Sequence, residues 1–216
     1  MINVLFIGNS FTYYNDMIRT FEDISKANGF DVHSDQIAYG GYSLIQYINE
    51  QDKNDELITK INSRRWDYVV LQDHSRKALD NLDELYEAVK ELAVLIRDQG
   101  GEPLLYSTWS YREGSAILRN TELSYDALYD VIRDGYSEVG KKLDIEVVDI
   151  GKIFNSLHRQ VNLLTEDDLH PNALGSYIVA HRFYKSIFKK INEEYRPKKV
   201  SEDEFSVVNL YFAKNF

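Results

Sequence analysis

The hydrophobic and polar positions of this chain fall into two alternating kinds of run. Residues 2–7 (Ile-Asn-Val-Leu-Phe-Ile) are nearly all apolar, the pattern of a strand buried on both faces. From about Asp16 to Asn28 the spacing becomes helical, with Met17, Phe21 and Ile24 on one face. Asp16 is the expected N-cap there and Gly29 the expected residue just past the C-terminus. Residues 31–38 alternate, Val32, Ser34 and Gln36 against His33, Asp35 and Ile37, which predicts a weaker strand. A turn containing Gly40 and Gly41 follows. Residues 44–63 predict a helix broken near Asp52–Asp55.

The second half repeats the alternation. Residues 66–72 (Trp-Asp-Tyr-Val-Val-Leu-Gln) predict a central strand, and 82–98 a helix with Leu85, Val89, Leu92 and Ile96 in one stripe. Gly100-Gly101 ends it. Residues 103–108 predict a fourth strand, about 121–142 a long helix and 145–149 a fifth strand. Pro171 is expected to open the last of these helices, with Tyr177, Ala180, Tyr184, Ile187 and Ile191 inward. Short apolar strands separated by helices imply a parallel sheet covered on both faces. With right-handed crossovers this is a doubly wound, three-layer α/β/α fold of about five strands.

At 216 residues, with no internal repeat or low-complexity linker, the chain is expected to be one domain, residues 1–216. Residues 198–216 are the exception to the pattern. Charged Lys-Lys-Val-Ser-Glu-Asp-Glu leads into apolar sequence, so this tail is expected to pack on its own domain or on a second subunit, the latter making a homodimer. A net charge of −10 argues against nucleic acid as a partner. Cysteine is absent, which excludes disulfides and thiolate metal sites. No apolar stretch approaches the roughly 20 residues of a membrane span, so no membrane partner is expected. No signal peptide is visible, and a cytoplasmic location is the expectation, although a removed leader would leave the same sequence.

In open parallel sheets, sites form beyond the carboxyl ends of the strands. Ser10 follows the first strand, Gly41 the second, Gln72 and His74 the third, and Trp109 the fourth. His170 lies between the fifth strand and the last of these helices, with Asp167 three residues before it and Asp168 two. A serine becomes a useful nucleophile only when a base takes its proton and a third group fixes that base. Ser10 is the candidate nucleophile and His170 the candidate base. A carboxylate three residues away across a tight turn can hold Nδ1 and leave Nε2 facing the serine, which favours Asp167; Asp168 stays open as the poorer geometry. The other acid is then expected to be solvated. Ser10 N–H and Gly41 N–H are candidate oxyanion donors. The third is Gln72, ahead of the His74 ring. Asn9, His74 and Trp109 are the candidate substrate contacts. The histidines at 33, 74, 158, 170 and 181 show no metal-type spacing, and no phosphate-cradling glycine motif is present, so no cofactor is expected.

Gly8-Asn9-Ser10-Phe11-Thr12, Gly41, and Asp167-x-x-His170-Pro171, in that order, resemble the SGNH, or GDSL-type, hydrolases, in particular a subgroup with a Gly-Asn-Ser-Phe-Thr opening. The resemblance runs from residue 2 to about 190. It implies a flavodoxin-like sheet, Ser10 as nucleophile, Asp167 and His170 as its partners, a glycine N–H carried to Gly41, and no cofactor. One block departs: the family's Gly-x-Asn-Asp after strand three reads Leu71-Gln72-Asp73-His74 here, so Gln72 is expected to replace the asparagine. The resulting expectation is a serine-dependent hydrolase of small acyl esters, with O-acetylated carbohydrate in view. The alternatives are a thioesterase or acyltransferase, a carbohydrate- or peptide-binding module on the same fold, and a flavin or phosphate binder.

Overall fold

A computed structural model describes residues 1–192 and 194–215. Five strands form one parallel sheet: β1 (Ile2–Gly8), β2 (Val32–Ala38), β3 (Tyr68–Leu71), β4 (Glu102–Ser107) and β5 (Glu146–Asp149), in the order β2-β1-β3-β4-β5. Eleven α-helical segments are described. After β1 come the single turn α1 (Ser10–Tyr13) and α2 (Met17–Ala27). After β2 come α3 (Leu44–Asn49) and α4 (Gln51–Asn62), and after β3 come α5 (Lys77–Asp80) and α6 (Leu82–Asp98). After β4 come α7 (Ala116–Arg119) and α8 (Tyr125–Leu143), and after β5 come α9 (Gly151–Leu157), α10 (Ala173–Phe188) and α11 (Glu202–Asn215).

Alternation along each strand sorts the core into two layers. Val4, Phe6, Val70, Leu104, Tyr106 and Val148 face α2, α9, α10 and α11. Leu5, Ile7, Val69, Leu71 and Leu105 face α3, α4, α6 and α8. The chain therefore has the three-layer, doubly wound α/β architecture that its apolar pattern predicts. Because β2 and β3 leave β1 in opposite directions, the crevice between the carboxyl ends of β1 and β3 is the switch point of the sheet.

Several local expectations are corrected. The break in the helix after β2 falls at Glu50, not at 52–55. Glu50 is extended (φ −87°, ψ 115°) and its carboxylate accepts from the Tyr42 hydroxyl. Asp16 sits at the N-cap position of α2 but is left-handed (φ 55°) and its side chain caps nothing. Pro171 does not open α10. Asn172 caps it by accepting from Gly175 N–H, while Pro171 pairs with Leu164 across a small bridge. The segment after β5 holds a helix, α9, that its sequence did not announce. The C-terminal tail is largely helix, and its Val208 and Phe212 are buried in the core on the α10 side.

At the outer edge of the sheet, two β2 amides end on carboxylates instead of on another strand. Ser34 N–H donates to Glu22 Oε1 (2.8 Å) and Gln36 N–H to Asp35 Oδ1 (2.8 Å).

Candidate active site

Strand β1 ends in a turn built around one buried amide. Gln72, immediately after β3, is fully buried. Its Oε1 accepts from Asn9 N–H (2.8 Å) and from the Thr12 hydroxyl (2.9 Å), and its Nε2 donates to the Asp73 carbonyl. A Cβ on Gly8 would stand 2.6 Å from Gln72 Oε1, so only glycine lets the strand end come this close. The Tyr47 hydroxyl adds a second tie: it donates to the Gly8 carbonyl (2.6 Å) and accepts from Tyr39 N–H (2.9 Å), joining the ends of β1 and β2. Asn9 caps α1 by accepting from Phe11 N–H (3.1 Å) and reaches across to the Tyr42 carbonyl (2.9 Å). Ser10, the first residue of α1, is thus delivered by a turn that hydrogen bonds from Gln72, Tyr47 and Asn9 hold in place.

Facing it is His170. Its Nε2 lies 2.7 Å from Ser10 Oγ and its Nδ1 lies 2.6 Å from Asp167 Oδ2. The other Asp167 oxygen accepts from the Thr165 hydroxyl (2.7 Å), Leu169 N–H (3.0 Å) and His170 N–H (2.9 Å). Partial burial pushes this carboxyl up, but the bonds from His170, Thr165 and Leu169 outweigh it and hold the group well below the ordinary carboxylate range. Asp167 therefore stands ionised beside the imidazole.

Asp168, the alternative acid, is directed elsewhere. It is left-handed (φ 65°) and its carboxylate accepts from Arg112 Nε. It is ion-paired, not simply solvated as expected. Arg112 also donates to Asn162 Oδ1 (3.0 Å) and to the Leu164 (3.2 Å) and Thr165 (2.8 Å) carbonyls. One guanidinium thus clasps the loop that carries Asp167 and His170. Nothing in the sequence marks Arg112; it becomes visible only when the end of β4 meets this loop.

The candidate oxyanion donors divide. Neither Ser10 N–H nor Gly41 N–H has an acceptor among the described residues. Gly41 is exposed and holds φ +76°, a left-handed conformation suited to glycine. The bond from Asn9 to Tyr42 brings this glycine turn against the nucleophile turn. Gln72, by contrast, is corrected from oxyanion donor to turn fastener. Its amide is buried and both ends are committed, so it cannot turn to a substrate.

The substrate contacts divide as well. Asn9 is buried with both side-chain ends bonded, and Trp109 is fully buried. Trp109 is stacked between Phe11 (centroids 4.8 Å apart) and Phe154 (4.2 Å), and its indole N–H donates to the Leu169 carbonyl (3.2 Å). It is a wall under the His170 loop, not a face for a ligand. His74 alone of the three is exposed, on the rim at the end of β3. Among the described residues no group of three or more His, Asp or Glu side chains is placed to hold a metal ion.

Besides Arg112, the sequence pattern marks neither of two further elements of the site. The Tyr14 ring lies parallel to His170, with centroids 4.1 Å apart and planes at 10°. Asn15, left-handed at φ 51°, donates from Nδ2 to the Pro171 carbonyl (2.8 Å) and to the Ser176 hydroxyl (3.2 Å).

No protein-family model matches the chain, and no curated protein sequence matches it. Solved structures do. A proposed SGNH hydrolase from Slackia heliotrinireducens superposes with a TM-score of 0.76 at 23% identity, covering 86% of this chain and 98% of that one. A DUF4886 family protein from Bacteroides uniformis gives 0.79 at 18% identity, covering 100% and 96%. An acetylxylan esterase from Geobacillus stearothermophilus gives 0.65 at 16% identity, covering 91% and 97%. The chain thus has an α/β fold like that of SGNH hydrolases.

Proposed function

We propose that this chain is a serine hydrolase of the SGNH kind that cleaves small acyl esters, with acetyl groups on carbohydrate as its foremost substrates. The observation that carries the reading is one unbroken line of hydrogen bonds. It runs from Ser10 Oγ through His170 Nε2 and Nδ1 to an ionised Asp167, at 2.7 and 2.6 Å.

In this mechanism Ser10 Oγ attacks the ester carbonyl carbon as its proton passes to His170 Nε2. Asp167 keeps Nδ1 protonated and stabilises the imidazolium. The oxyanion accepts from Ser10 N–H and Gly41 N–H. Collapse breaks the bond to the alcohol, whose oxygen takes the proton from Nε2. Water then attacks the acyl-enzyme, giving a proton to Nε2; collapse breaks the bond from Ser10 Oγ to the acyl carbon, Oγ takes that proton back and the carboxylic acid leaves. The carbohydrate part rests on the likeness to an acetylxylan esterase.

The test is hydrolysis of p-nitrophenyl acetate, then of acetylated xylo-oligosaccharides, by wild type and Ser10→Ala. The variant is expected to lose kcat by on the order of 10⁴-fold while keeping its melting temperature. Equal rates in the two proteins, with Ser10 unlabelled by a fluorophosphonate, would sink the reading.

A further inference from the structure

The nucleophile segment carries more than Ser10. Within the five residues after it, the chain makes three further approaches to His170 and its loop. Tyr14 stacks face to face on the imidazole at 4.1 Å, and Phe11 meets the same ring edge-on, with centroids 5.3 Å apart and planes at 84°. Asn15 then ties to the carbonyl of Pro171, the residue after His170. The same stretch holds two consecutive non-glycine residues in the left-handed region, Asn15 at φ 51° and Asp16 at φ 55°. L-residues rarely hold that conformation in succession, and such backbone persists where surrounding contacts over-determine it.

The Cβ–Cγ bond and the hydrogen bond from Nδ1 to Asp167 hold one side of the imidazole and leave its Nε2 side small torsional swings. Tilt is what decides whether the Nε2 lone pair points at Ser10 Oγ. The parallel Tyr14 ring and the perpendicular Phe11 edge remove that freedom, and Asn15 fixes the backbone from which the ring projects. Phe11 is itself backed by Trp109.

Building on the reading above, we propose that Tyr14 and Asn15 are positioning residues that hold the His170 ring in line with Ser10. The base is thereby gripped by the same short segment that carries the nucleophile. The ring face of Tyr14 acts in this clamp; its hydroxyl does not. Asn15 acts as a donor, so aspartate, which tolerates the left-handed conformation but cannot donate, does not replace it.

The experiment measures kcat and KM on p-nitrophenyl acetate, melting temperature, and the ¹H shifts of the His170 ring protons. The proteins are wild type, Tyr14→Phe, Tyr14→Leu and Asn15→Asp. Tyr14→Phe is expected to keep kcat within about twofold, while Tyr14→Leu and Asn15→Asp lower it by about 10- to 100-fold with KM within about twofold, the range a small misplacement of a reacting group produces. The His170 ring protons are expected upfield in wild type and Tyr14→Phe, under the ring current of residue 14, and to move downfield in Tyr14→Leu. Unchanged kcat in both Tyr14→Leu and Asn15→Asp would overturn the clamp. So would an equal loss in Tyr14→Phe and Tyr14→Leu, or ring-proton shifts that ignore residue 14. Should Tyr14→Leu fail to fold, Asn15→Asp carries the kinetic arm and Tyr14→Phe the spectroscopic one. Wild type that shows the upfield shifts but neither esterase activity nor serine labelling refutes the hydrolase reading and leaves the clamp standing.

Discussion

Asp73→Asn should flatten the pH dependence of this protein's stability between about pH 4 and 6, by an amount that the surroundings of Asp73 set. Asp73 is fully excluded from solvent, next to Gln72 and beside Tyr136. Its Oδ1 accepts from His74 N–H (2.5 Å), and its Oδ2 has no hydrogen-bond partner. Burial pushes the carboxyl up from 3.8 to about 6; His74 N–H, the Lys77 ammonium and Leu44 N–H pull the other way, and Glu84 adds to the rise. The folded protein therefore holds this proton more tightly than the unfolded chain does. Below about pH 4 both states are protonated and the group's contribution is fully present. Between about 4 and 6 the unfolded chain releases the proton first, and stability falls as pH rises. Above 6 the loss is complete, about 3 kcal/mol from the difference between the two values. Asparagine keeps the acceptor for His74 N–H and removes the titration; its Nδ2, buried where Oδ2 finds no partner, costs about 1–3 kcal/mol at every pH and so leaves the trend with pH intact. Urea unfolding of both proteins at pH 4, 5, 6 and 7 should show a stability difference that grows by up to about 1.4 kcal/mol per pH unit and levels off above 6. Asp149, raised by burial, and His181, pushed down to about 3 by burial, titrate in both proteins and drop out of the difference. A difference that stays flat from pH 4 to 7 would refute the reasoning.

Two other substitutions separate positioning from stability. Gln72→Ala leaves Asn9 N–H, the Thr12 hydroxyl and the Asp73 carbonyl unpaired in a dry place, and at about 1–3 kcal/mol for each orphaned group it should lower both the urea midpoint and kcat; a protein as stable and active as wild type would contradict the fastening role. Arg112→Lys keeps a charge beside Asp168 but loses the fork that holds three loop oxygens. Global stability should move by less than about 1 kcal/mol, since the pair is a third exposed. The loop at 162–170 should nonetheless become more susceptible to limited proteolysis and kcat should fall, and an unchanged cleavage pattern would sink the clasp.

Much of the fold could be read from residue patterns because β1, β3 and β4 are short apolar runs, β2 alternates, and the longer helices carry an apolar stripe. Boundaries were missed where a tertiary partner overrode local preference. Glu50 interrupts a helical run while its carboxylate meets Tyr42, and Asn172 outranks Pro171 as the start of α10 because its side chain can accept from Gly175 N–H. The meeting of Ser10, His170 and Asp167 was legible because three chemically distinctive residues sat at the ends of predicted elements, two of them at a telling spacing. Gln72 was misread for a physical reason. An amide at a strand end serves whichever partners reach it first, and here those are Asn9 and Thr12, about 60 residues away in sequence. Arg112 and Tyr14 carry no local signal at all, and Trp109 shows only its place after a strand, because their roles exist only once β4, α1 and the His170 loop are neighbours.

The carboxylates on β2 bear on how copies of this protein behave together. A parallel sheet with a bare outer strand offers its amides to any extended chain nearby, and that is a common route into aggregates. Glu22 and Asp35 occupy two of those amides from within the molecule. The sheet is closed at five strands by side chains, not by a further strand. Protonating those carboxylates at low pH, or replacing them with alanine, would reopen the edge. Acid storage and surface redesign should therefore both treat β2 as the place where self-association begins.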